Sequence, residues 1–139
     1  MKTIEELTLH SLDCTPAGLD DLAGESRRCA EALIENPAQG LQAFRTLAEK
    51  LHGFDVFCGD VMSLFKIVPG TIRDGRGDME TCGLALRTSL DRMPRLLARD
   101  DIHGLARLLR SELPDALARF RELVPVLRNY IDAEYVQRV

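Results

Sequence analysis

Tryptophan is absent from the chain and aromatic residues make up only 5% of it, while 45% of residues are apolar and 29% carry charges of both signs. That balance is the profile of a globular protein and excludes a disordered one. Long apolar runs are missing as well. The longest uncharged stretch starts at Val61, is broken by Lys66 and by Pro69-Gly70, and ends at Ile72, too short to cross a bilayer. Positive charge is not in surplus: the formal net charge of −4 argues against the concentrated basic surface that nucleic-acid binding requires. Neither nucleic acid nor membrane is expected as a partner. The opening residues Met1-Lys2-Thr3-Ile4-Glu5-Glu6 place two acids where a secretory leader is apolar, so a cytoplasmic location is expected.

No C-x-x-C pair occurs among Cys14, Cys29, Cys58 and Cys82, which removes the usual cysteine signatures of zinc and dithiol chemistry. Cys29 and Cys58 fall at apolar helical positions and read as packing groups. There is no G-x-S-x-G, P-loop, G-x-G-x-x-G or H-E-x-x-H, so the common motif routes to hydrolysis, nucleotide binding and zinc are closed. No cofactor is expected.

What the chain does contain is helical periodicity. Its 139 residues suit one domain with one core. Residues 1–14 show no long period and read as an N-terminal arm, followed by a helical bundle over residues 15–139. Thr15-Pro16 supplies a cap and a first-turn proline for helix A, whose stripe is Leu19, Leu22, Ser26, Cys29, Ala30 and Leu33. Asn36-Pro37 ends it. Helix B is expected from Pro37 to Val68, with Leu41, Phe44, Ala48, Leu51, Phe54, Cys58, Val61 and Phe65 advancing by three or four. Gly40, Gly53 and Gly59 within it imply close approach of a neighbour or a kink. Turn residues fill Thr71–Asp78. Helix C follows the Asp78 cap and bends at Pro94. After Arg99-Asp100-Asp101, helix D runs from Ile102 to about Tyr135 in near-heptad register, with bends at Pro114 and Pro125. Amphipathic helices joined by short turns bury their stripes by bundling. The expected fold is an all-α up-down four-helix bundle with long second and fourth helices.

The segment Asp100–Phe120, D-D-I-H-G-L-A-R-L-L-R-S-E-L-P-D-A-L-A-R-F, resembles the end of a group of small uncharacterised bacterial helical proteins. Their pattern is a short Asp-containing turn, A-D-L-L-E-Y-E-L, a proline and L-x-x-W. Ala106, Leu108, Leu109, Glu112, Leu113 and Leu117 match, and Phe120 stands at the tryptophan position. Arg107, Arg110 and Ser111 depart from it, and Pro114 comes one position early. The resemblance implies a helical bundle and no activity.

Three constellations have chemical potential. Glu49-x-x-His52 on helix B and Asp100-Asp101-Ile102-His103 entering helix D could form a di-metal carboxylate site, with Glu49, His52 and His103 as its ligands, provided they share one level of the core. In an up-down bundle B and D run parallel, and His52 and His103 fall about 18–20 Å apart along the axis. His52, followed by Gly53, also has the minimal form of a surface phosphorelay histidine. His10 has no partner at an interpretable spacing within the arm. Arg76-Gly77-Asp78 spells an adhesion tripeptide, but it is also what a polar loop before a capped helix contains.

Arginines recur on helix C (Arg92, Arg95, Arg99) and helix D (Arg107, Arg121, Arg128), while the first quarter of the chain is acidic. The two regions can face one another or solvent, or the arginines can receive an acidic partner helix. Apolar residues lie off the bundle stripes: Phe57, Met62, Leu64 and Ile67 on B, and Val124, Val126, Tyr130 and Val136 on D. In a strict monomer they are expected to be exposed, and such patches mark contacts. The leading expectation is a cytoplasmic, non-catalytic adaptor or chaperone-like module that binds a partner helix or a second copy of itself as a homo-oligomer. Its contact residues are then Phe57, Met62, Leu64, Val126 and Tyr130 with Arg107, Arg121 and Arg128. The alternative is a metal- or small-ligand-binding bundle, with enzymatic activity as one form of it.

Overall fold

A computed structural model describes residues 3–134, so Tyr135 and Val136 lie outside the described residues. The first helix, α1 (Ile4–Glu35), starts well before Thr15. Thr3 accepts the Glu6 N–H at 3.1 Å and the Glu6 carboxylate accepts the Thr3 N–H at 3.3 Å, a reciprocal capping box. The segment read as an arm is therefore helical from Ile4, and Pro16 sits inside the helix rather than at its start. A proline there removes one ladder bond. Tertiary contact holds the helix through it: Leu12 and Leu19, on either side, are both buried, and Asp13 bonds Arg128 at 2.8 Å.

Asn36 serves two helices at once. Its N–H donates to the Ala32 carbonyl at 2.7 Å, and its side-chain oxygen accepts the Gln39 N–H at 3.4 Å to cap α2 (Pro37–Leu64). Gly40 then lies so close to α1 that a Cβ would sit 2.6 Å from the Leu33 backbone. This is the close approach its glycine implied, whereas Gly53 and Gly59 face open space. The second helix ends before Val68 because Lys66 takes a left-handed conformation (φ 54°). Lys66 N–H then bonds the Ser63 carbonyl, and Ile67 N–H bonds the Met62 carbonyl at 2.8 Å. That is the Schellman pattern, and Ile67, the residue after the turn, is buried.

A 3₁₀ turn (Pro69–Thr71) and a minimal antiparallel hairpin, β1 (Arg73–Asp74) with β2 (Gly77–Asp78), lead into α3 (Met79–Ala98), capped by Asp78 accepting from Thr81 N–H at 2.8 Å. The third helix passes through Pro94 and closes with a second Schellman turn at Asp100 (φ 55°). Asp101 caps α4 (Ile102–Arg107), which continues through a π turn (Leu108–Glu112) into α5 (Leu113–Glu134).

The order is up-down-up-down. Glu25–Lys50 sets α2 antiparallel to α1; Asp20–Arg121 and Asp13–Arg128 do the same for α5. Arg92–Glu112 links α3 to the π turn. Buried Leu33, Leu47, Leu51, Leu86, Leu105, Leu117 and Phe120 form one core shared by all four rods, with Phe54 edge-on to Phe120 at 5.1 Å.

The π turn has an identifiable cause. Leu113 N–H bonds the Leu108 carbonyl, five residues back instead of four. The next donor in that wider register is Pro114, which has no N–H. The Leu109 carbonyl, inside the core, therefore needs an outside donor, and the Ser26 hydroxyl of α1 supplies one at 2.5 Å with Ser26 fully buried. Ser26→Ala is expected to lower stability by about 1–3 kcal/mol, the penalty for an unsatisfied buried acceptor. The penalty should shrink in a Pro114→Ala background, where residue 114 regains a donor. Urea denaturation of both single variants and the double variant checks this; additive effects would contradict it.

Candidate functional site

The bundle is not closed equally on all sides. The first helix packs along both α2 and α5, and α3 packs on α4 and α5, while the direct contact between α2 and α3 is sparse. Between these two lies a groove of about 360 Å³, within the size range of ligand and anchor pockets. Its α2 wall carries Asp55, Cys58, Gly59 and Met62; its α3 wall carries Met79, Glu80, Gly83 and Arg87; Phe120 of α5 is its floor. Glycine on each wall keeps it open. Asp55 and Arg87 reach across one end at 3.6 Å, and Glu80 stands at the other beside Pro69 and Gly70. The remaining charge is negative. Desolvation, reinforced by Asp55, pushes the Cys58 thiol up to about 12. It is protonated at neutral pH and acts as an apolar wall group rather than a nucleophile.

The loop between α2 and α3 fixes the spacing of the groove. Ile72 is fully buried beneath it, and its carbonyl accepts the Met79 N–H at 2.8 Å. Asp74 anchors the hairpin by accepting from Arg76 N–H at 2.8 Å, Gly77 N–H at 3.1 Å and both terminal nitrogens of Arg119 on α5 at 3.0 and 3.2 Å. The Arg119 guanidinium and then the Arg76 N–H hold the Asp74 carboxyl down at about 2. Arg119 also bonds Glu122, which holds Arg76 at 2.9 Å. The tripeptide Arg76-Gly77-Asp78 is thus occupied internally, its aspartate as a helix cap.

Several sequence-derived sites are corrected by this geometry. Met62, Ile67 and Val124 are buried, and Phe57, Leu64, Val126 and Tyr130 are half-buried. They are not an exposed patch, because α2 and α5 each contact more than one neighbour and bury a wider arc than a single stripe. Of the proposed contact residues, Met62 alone lines the groove. Arg107 is exposed. Arg121 bonds Asp20 and Arg128 bonds Asp13, each at 2.8 Å, so the acidic first quarter does face the arginines of α5. Glu49, His52 and His103 are all exposed, and among the described residues no three His, Cys, Asp or Glu side chains are placed to hold a metal ion. The large apolar side chains that are exposed include Val56, Val68 and Leu84, each next in sequence to a groove-lining residue.

One pair went unseen in the sequence. His10 and Cys14 stand one turn apart on α1, with Nε2 and Sγ 4.0 Å apart. Reading residues 1–14 as an arm hid this spacing; the Thr3-x-x-Glu6 capping box was the signal that reveals it.

The chain matches no protein-family model, no curated protein and no solved structure.

The depressed Asp74 carboxyl makes its anchoring pH-dependent in a definite direction. Its contribution is complete above the ordinary carboxyl value of 3.8 and is lost as the pH falls through about 2. Amide resonances of Arg76 and Gly77 are expected to shift over that window and to lose the response in Asp74→Asn. Unchanged titration in that variant would contradict the assignment.

Proposed function

We propose that this chain is a non-catalytic helical interaction module whose α2–α3 groove receives the apolar anchor side chains of an amphipathic helix from another protein. The observation that supports this reading is an open groove with methionine on both walls, glycine on both walls and a phenylalanine floor. Methionine adapts to varied apolar partners, and helix-in-groove recognition depends on an apolar cleft of this kind. Charge selects among helices: Asp55 is matched by Arg87, and Glu80 leaves a negative surplus, so the partner helix carries basic residues flanking its anchors. The groove offers no activated nucleophile or acid–base pair, since its thiol is protonated, which favours binding over chemistry.

Gly59 separates binding from folding, because a Cβ there meets nothing within 4 Å. Gly59→Ala is expected to stabilise the free protein by up to about 1 kcal/mol through helix propensity, and Gly59→Leu to obstruct the groove while leaving the fold intact. The probe is a helical peptide with leucines at i, i+3, i+4 and i+7 flanked by lysines, compared with a scrambled sequence. The Met62 and Met79 methyl resonances are expected to shift with the first peptide only, and the shifts should disappear in Gly59→Leu. Shifts located elsewhere, or equal for both peptides, would overturn the proposal.

A further inference from the structure

His10 and Cys14 lie on an exposed face of α1, away from the groove, and the inference drawn from them is independent of it. An Nε2···Sγ separation of 4.0 Å is close to the bite of one metal ion: Zn–S of about 2.3 Å and Zn–N of about 2.0–2.1 Å at a tetrahedral angle put the two atoms about 3.6 Å apart. Small side-chain rotations close the difference. A nitrogen and a sulfur ligand together suit zinc better than the oxygen-seeking cations.

Among the described residues, only this half of a site is supplied. The neighbouring carboxylates are engaged, Glu6 with Thr3 and Asp13 with Arg128, and among the described residues no set of three ligating side chains is placed around a metal. Leu7, one turn before His10, is 51% exposed, and Ser11 within the same stretch is small. The face thus combines two ligand side chains with an uncovered apolar one.

We infer that His10 and Cys14 form half of a zinc site that a second copy of this chain completes, giving a two-fold His₂Cys₂ centre with Leu7 buried beside it. Each zinc ion displaces two thiol protons and leaves two thiolate and two imidazole ligands.

The test uses the full chain, kept reduced with a phosphine and titrated with zinc while its mass is followed by light scattering. The expected result is a metal-dependent doubling of mass that saturates at one zinc per two chains and reverses with chelator. Cobalt in place of zinc should give the intense visible spectrum of a tetrahedral site with a thiolate charge-transfer band. His10→Ala and Cys14→Ser, both at exposed positions, are expected to abolish the dimer and the cobalt spectrum while keeping the thermal midpoint of the metal-free protein. The inference is overturned by an unchanged mass, or by a zinc-induced dimer that survives in either variant.

Discussion

The hydrogen bond from Ser26 to the Leu109 carbonyl is the constraint on which the register of the bundle depends. Pro114 cannot complete a helix ladder, and the wider π register at Leu108–Glu112 leaves one core carbonyl without a donor from its own rod. Only a side chain from a neighbour can serve it, and Ser26 does so from α1 across 83 positions of sequence. Such a bond fixes rotation and axial position together, because a hydroxyl has a reach of one bond length. Further along the same antiparallel pair of helices, Asp20 bonds Arg121 and Asp13 bonds Arg128, seven residues on along each helix. Those ion pairs are exposed and individually weak; they follow the register rather than set it.

Much of this architecture was legible from periodicity. The stripe read on the second helix includes buried Phe44, Leu51 and Val61 and half-buried Leu41, Phe54, Cys58 and Phe65, because an amphipathic helix has one face to bury and the 3.6-residue period marks it. Boundaries were less legible where two local signals compete. Thr15-Pro16 has the form of a helix start, yet Thr3-Glu6 makes the real one, and burial of Leu12 decides between them. The end of α2 was hidden for another reason: Pro69-Gly70 is the stronger breaker in sequence, but Lys66 stops the helix first through backbone geometry that lysine does not advertise.

The candidate groove could not be read from the stripes at all. A one-dimensional pattern says which face is apolar and not whether the opposing helix comes close enough to fill it. Separation of α2 from α3 depends on the buried Ile72 and on Asp74 anchored to Arg119, residues that look like ordinary loop polarity and a stray aliphatic in sequence. The arginines on α5 illustrate the converse. Their spacing suggested a docking face, and the partners that occupy Arg121 and Arg128 were in the chain from the start.

Gly40 gives the second helix a fulcrum. There the backbones of α1 and α2 are in contact with no side chain between them, so this end cannot slide or splay. Met62 lies 22 residues further along, about 33 Å at the helical rise, and a tilt of only 5° about Gly40 carries it about 3 Å sideways. Angular play too slight to disturb the tight end is magnified at the far end into most of the width of a methyl group. The same tilt moves Leu51, 11 residues from Gly40, only about half as far, so any adjustment to side chains of different size is greatest at the mouth of the groove.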